Sequence, residues 1–182
     1  MALSKIQSES INLADNFAFT GTVSGAGKIG QVVQTVKKDT YNTNSSSFAL
    51  ITGLSVNITP TSTSSKILIK TSISFGGVQN VYAYAKILRG STDIFIGDAG
   101  STNQIRCTFP MTTVDHSSSP YKAYVSNSEF LDSPSTSSEI TYSVHLRSQA
   151  SNTVYINRES NNDDNDYNGR YTSSITAMEV LA

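Results

Sequence analysis

Apolar and polar residues alternate with a period of two along most of this chain. In KILIKTSISF (66–75), Ile67, Ile69, Thr71, Ile73 and Phe75 fall on one face. EITYSVHL (139–146) puts Ile140, Tyr142, Val144 and Leu146 on one face. VYAYAKILR (81–89) puts Val81, Ala83, Ala85 and Ile87 on one side, and Tyr82, Tyr84, Lys86 and Leu88 on the other. NTVYINR (152–158) alternates around Val154 and Ile156. Such alternation marks strands with one buried face. Further strands are predicted at 31–38, 48–58, 92–97, 103–109, 121–131 and 171–181, separated by Gly, Ser, Asn and Pro. Roughly ten short strands with no helix after residue 15 predict an all-β fold. An antiparallel β-sandwich of the jelly-roll type matches the size.

The first thirty residues read differently. Residues 6–13 suit a short helix or an extended arm, followed by the β-like FAFTGTV (17–23) and a glycine-rich joint. With few apolar residues this arm has no core of its own and must lie on something else. The predicted organisation is therefore a docking arm and joint at 1–30 and a sandwich at 31–182.

Composition sharpens the picture. Ser and Thr fill 50 of 182 positions, 30 and 20 respectively, alongside nine Tyr and seven Phe. Polar, β-branched and aromatic residues together suit sheets with one wet face. The formal net charge is -1, from 13 basic and 14 acidic side chains. A nucleic-acid binder shows a basic surplus, so nucleic acid is not an expected partner. A single cysteine, Cys107, rules out an intrachain disulfide and reads as a half-buried strand residue. No apolar run reaches the ~18 residues of a membrane helix, and MALSKIQSES lacks the apolar core of a signal peptide. The chain is expected to be made in a cytoplasm without inserting in a membrane.

Gly25-Ala26-Gly27-Lys28-Ile29-Gly30 is a literal G-x-G-x-x-G. The nucleotide reading needs a helix after it, whose N-terminus holds the phosphate. QVVQTVKKDTY comes next instead, and its Val32, Val33, Thr35 and Val36 are β-branched. As a P-loop it also fails, because Thr22 replaces the first Gly and Ile29 replaces the magnesium-holding hydroxyl. No cofactor is expected there; the glycines read as the joint between arm and sandwich.

Asp164-Asn165-Asp166-Tyr167-Asn168-Gly169 matches the first half of a calcium loop, with Asp164, Asp166 and Asn168 as the oxygen donors. Ile175 stands at the twelfth position, where a bidentate Glu belongs, so an EF-hand is rejected. A looser calcium site in a β-loop competes there with a solvated acidic hairpin tip.

For catalysis, His116 follows Asp115 in TTVDHSSSP and His145 falls on a polar strand face. Triad members meet through the fold rather than as sequence neighbours, and no G-x-S-x-G elbow is present. A hydrolase would need acids such as Asp93, Asp98, Asp115 or Asp132 to converge. No catalytic residue is assigned. Tyr82, Tyr84, Tyr121 and Tyr124 could stack on sugars, fill a subunit interface or simply pack at the core edge. PTSTSSKI (60–67) and PSTSSEI (134–140) are near copies, read as a shared turn solution rather than a duplicated binding loop.

LSKIQSESINLADNFAFTGTVSGAG (3–27) resembles the N-terminal segment of virion fibre-like proteins of marine tailed phages. The next stretch, QVVQTVKKDTYNTNSSSFALITGLSVNITPTSTSSKILIKTSISF, and the closing SSITAMEVLA resemble their β-domain, so nearly the whole chain is covered. The resemblance implies a phage structural protein located in the virion. It implies a trimer of jelly-roll domains similar to C1q or tumour-necrosis-factor modules, and no enzyme. Residues 1–30 would then dock to other virion proteins while the sandwich faces host-surface glycans. A capsid decoration protein and a carbohydrate-binding β-sandwich are the alternatives.

Overall fold

The computed structural model describes residues 28–77, 81–101, 103–113, 121–149 and 152–181. The expected arm, the joint glycines Gly25 and Gly27, and Asp115 and His116 lie outside them. Eleven strands form two antiparallel sheets, and among the described residues there is no helix. The strands are β1 (Lys28–Lys37), β2 (Tyr41–Thr43), β3 (Ala49–Ile58), β4 (Lys66–Gly77) and β5 (Ala83–Arg89). They continue with β6 (Thr92–Ile94), β7 (Phe109–Pro110), β8 (Ala123–Asp132), β9 (Ile140–Ser148), β10 (Val154–Ile156) and β11 (Ser173–Leu181).

Three of the sheet positions are shared by two short strands. β11 pairs with β4 from Lys66 to Ser72, and β10 continues the same antiparallel line from Phe75 to Gly77. Their partners β1 and β2 share the next position in the same way. β6 and β7 likewise share the outer flank of β5. Merging these pairs leaves eight strands in two sheets of four. Counted along the chain, one sheet runs first, eighth, third, sixth, and the other second, seventh, fourth, fifth. This interleaving is the jelly-roll order, a long antiparallel ribbon folded over on itself.

The alternation explains which face is buried. Ile67, Ile69, Ile73 and Phe75 of β4 meet Val81, Ala83, Ala85 and Ile87 and the β9 residues Tyr142, Val144 and Leu146 in one core. The two echoing turns join β3 to β4 and β8 to β9. Ile58 pairs with Ile140 in one sheet and Ile67 with Asp132 in the other, so both arches sit at the same end of the ribbon. In each a hydroxyl accepts an N–H two residues on: Ser62 from Ser64 at 3.2 Å, and Thr136 from Ser138 at 3.0 Å. That is the turn chemistry expected of Ser and Thr.

Polar braces cross between the sheets. Arg89 of β5 donates from one nitrogen to both Asp132 oxygens, at 2.9 and 2.8 Å, and Tyr142 of β9 donates to Asp132 at 2.7 Å. Burial and the Asp132 carboxylate drive the Tyr142 hydroxyl well above the usual phenol range, so it stays a donor. Glu179 of β11 is fully buried. Its carboxylate accepts from Thr61 N–H, Thr61 hydroxyl and Gln31 amide. Burial alone would raise its pKa, but these donors hold it down to about 2.

The last three residues of the glycine motif are strand. Lys28, Ile29 and Gly30 open β1, three residues before the expected start of the sandwich, and the β1–β11 register shifts between Ile29 and Val32. The chain leaves the motif as β-strand, so no helix N-terminus is present there to hold a phosphate.

Some expected elements are shorter. The strand expected at 92–97 stops at Ile94, because Phe95 turns to φ 50° and stacks on Phe130 at 4.7 Å. The strand expected at 103–109 contributes only Phe109 to a ladder. β2 has no counterpart among the expected strands.

Candidate functional site

β10 and β11 are one strand line interrupted by residues 157–172, and Asn157 closes the interruption. It is fully buried with φ 62°. Asparagine tolerates that left-handed conformation better than most residues. Its amide donates to the carbonyls of Lys37 and Asp39, both at 2.9 Å, and its oxygen accepts from Ser173 at 2.6 Å. Tyr171 N–H returns to the Asn157 carbonyl at 3.0 Å. One side chain thus clamps the break in β10–β11 to the break in β1–β2.

Above this clamp, Glu159 is buried and accepts from Gly169 N–H at 3.0 Å and from the Tyr171 hydroxyl. Its carboxylate keeps the Tyr171 phenol protonated, with the pKa pushed up to about 12. Asparagines then shape the tip. Asn165 accepts from Tyr167 N–H at 3.0 Å, and Asn168 donates to the Asp163 carbonyl at 2.7 Å and to Asn165 at 3.0 Å. Of the calcium candidates, Asp164 and Asp166 face solvent at the tip while Asn168 is half-buried with its amide turned into the loop. Among the described residues no three His, Cys, Asp or Glu side chains cluster to hold a metal ion.

The loop brings tyrosines together. Tyr167 lies 6.2 Å from Tyr121, and Tyr124 lies 5.7 Å from Phe75. A depression of about 220 Å³ lies against Tyr171, Ser74, Ala123 and Val125, and it also touches Tyr124, whose ring packs inward on Phe75 at the edge of the core. The guanidinium of Arg158 covers the Tyr155 ring at 3.9 Å. The sequence points to Tyr121 and Tyr124. It gives no sign of Tyr167 and Tyr171, whose place depends on the loop folding back.

The same sheet carries a wider groove of about 780 Å³ on its outer face. Register orders this face in rows, and Val32 and Met178 of the first row line the groove. Leu131, Leu68, Met178 and Val32 lie opposite one another across β8, β4, β11 and β1. Val32 and Leu131 are 57% and 44% exposed, so an apolar row crosses the sheet in open view. The next row is Glu129, Lys70, Thr176 and Gln34. Lys70 pairs with Glu129 at 2.9 Å, and Gln34 donates to Thr176 at 2.8 Å.

Among the described catalytic candidates, Asp93 and Asp132 take different partners. Asp93 pairs with Lys86 at 2.6 Å, whereas Asp132 is held by Arg89. His145 is half-buried on the outer face of the second sheet, 3.2 Å from the Ser143 hydroxyl. Burial lowers its pKa, a trend that nearby Asp93 opposes and Lys86 reinforces. Beside it, Phe48 lies under Lys86 at 4.4 Å and Arg147 at 5.8 Å. Tyr82 is exposed and Tyr84 half-buried.

No family model matches the chain. No curated protein matches it either. Among solved structures it is similar to the infectious bursal disease virus Gx strain structure, with TM-score 0.39 and 11% identity over 94% of this chain and 42% of that one. It is similar to the VP2 subviral particle of the same virus, with TM-score 0.42 and 10% identity over 94% and 45%. It is also similar to T=1 particles derived from that virus, with TM-score 0.42 and 12% identity over 94% and 40%. The chain spans less than half the length of these viral proteins.

Proposed function

We propose that the protein is a non-enzymatic structural component of a tailed-phage virion. In this reading three copies form a short appendage that displays the sandwich for attachment to the host surface. The observation that carries it is the apolar row Leu131–Leu68–Met178–Val32, which crosses one outer sheet face and leaves two large side chains open. Exposed apolar stripes of this kind mark contact surfaces. The jelly-roll order supports the reading, since it is the fold that the phage resemblance implies. The resemblance of residues 3–25 supports attachment to other virion proteins through the arm.

Two measurements test this. Sedimentation of the purified full-length protein is expected to give three times the chain mass of 19.6 kDa. Protein identification on purified phage particles is expected to find the chain at the low copy number of an appendage. A high copy number would instead favour a head decoration protein. A monomer absent from particles would overturn the virion reading.

A further inference from the structure

Tyr167 is 74% exposed, on a loop whose backbone is tied down. Its N–H is held by Asn165, Asn165 is held by Asn168, and the loop below is pinned by Glu159 and Asn157. A large ring held in water on an ordered loop loses little freedom when something stacks on it. The neighbouring Tyr121, 45% exposed, makes a tilted pair with it. The depression beside Tyr171 has an apolar rim at Val125, which is 58% exposed, and the Ser74 oxygen below it, whose hydroxyl donates to the Thr172 carbonyl. Rings for the C–H faces of a ligand, with oxygens and amides around them for its hydroxyls, make up the chemistry of saccharide recognition.

Size and charge narrow the class. About 220 Å³ is below the ~300 Å³ at which drug-sized sites begin, so the depression takes a single ring. Residues 121–125 and 158–170 carry four carboxylates, Glu159, Asp163, Asp164 and Asp166, against three cations, Lys122, Arg158 and Arg170, a net charge of -1. With Asp163, Asp164 and Asp166 exposed at the tip, this balance disfavours sialic, uronic and sulfated sugars. We infer that the Tyr121–Tyr167 pair and the depression beside Tyr171 form a binding site for an uncharged hexose or N-acetylhexosamine. This inference rests on the attachment reading and gives it a ligand class.

Saturation-transfer NMR on the full-length protein tests it, using methyl glycosides of uncharged hexoses, N-acetylhexosamines and sialic acid. Transfer to an uncharged glycoside is expected, and none to the sialoside. Tyr167→Ala, a change at an exposed ring, is expected to weaken binding about tenfold, the worth of one stacked ring. Tyr82→Ala, on the other sheet, is expected to leave binding unchanged. No transfer to any uncharged glycoside, a preference for the sialoside, or undiminished binding by Tyr167→Ala would each overturn the inference. Those outcomes leave the mass and particle measurements untouched, so the two readings fail separately.

Discussion

The carboxylate of Glu179 receives both the backbone N–H and the hydroxyl of Thr61, at 2.6 and 2.7 Å. This ties the arch between β3 and β4 to the last strand. A folded pKa of about 2 lies below the ordinary value of 4.5. A depressed carboxylate stabilises the fold above its unfolded pKa and loses that contribution as pH falls through its folded value. The wild-type melting temperature is therefore expected to fall between pH 4.5 and 2. Glu179→Gln is expected to be less stable at neutral pH and to show a flatter profile over that window. Equal profiles for the two proteins would remove Glu179 from the acid response.

Asn157 is expected to be hard to replace. Asn157→Ala strands the carbonyls of Lys37 and Asp39, at about 1–3 kcal/mol for each buried acceptor left unpaired. It also puts alanine at φ 62°. Asn157→Gly relieves only the backbone strain. Denaturant unfolding should rank wild type above Gly, and Gly above Ala; an Ala variant as stable as Gly would refute the strain component.

The Arg89–Asp132–Tyr142 brace predicts a graded loss. Asp132→Ala leaves Arg89 without its counter-ion and is expected to cost roughly 3 kcal/mol. Tyr142→Phe removes one hydrogen bond and is expected to cost about 1 kcal/mol. Calorimetry of the two variants checks the order, which the brace requires.

Gly76 is the glycine that packing demands. A Cβ there would meet the Arg158 carbonyl at 2.6 Å, Glu159 Cα at 2.8 Å and the Lys122 carbonyl at 2.8 Å. All three are backbone atoms and cannot swing aside. Gly76→Ala is expected to push the 157–172 loop off β4 and expose its amides. Hydrogen exchange at Tyr167 to Tyr171 should accelerate, while exchange in β9 stays slow.

Calcium provides a check on the acidic tip. The Asn168 NH2 is held by Asp163 and Asn165, which leaves its side-chain oxygen buried inside the loop while Asp164 and Asp166 stay in solvent, so the three donors do not face one centre. Millimolar calcium is expected to leave the melting temperature unchanged. A rise reversed by chelation would show that the tip rearranges around the ion.

The sandwich is legible where alternation is pure. Ile67, Ile69, Ile73 and Phe75, and Tyr142, Val144 and Leu146, all point inward as their spacing predicts. Legibility fails where a polar residue holds an inward position. Glu179 and Asn157 look like ordinary solvent-facing residues until the chain folds back on them. Phe95 ends its strand early because a ring partner 35 residues away, Phe130, outweighs local β-propensity. The tyrosine site is only partly visible for the same reason: Tyr121 belongs to a readable strand start, Tyr167 and Tyr171 to a loop shaped by long-range contacts, and Tyr124 turns inward onto Phe75.

Because β10 and β11 lie on one line of the sheet, whatever separates them leaves and re-enters the fold at fixed points, Asn157 and Ser173. Glu159, Gly169 and Tyr171 tie the two ends of that segment together, so the frame constrains least the tip between them. Foreign peptides could be grafted there as interchangeable cassettes, and variants could diversify their surface chemistry without renegotiating the core.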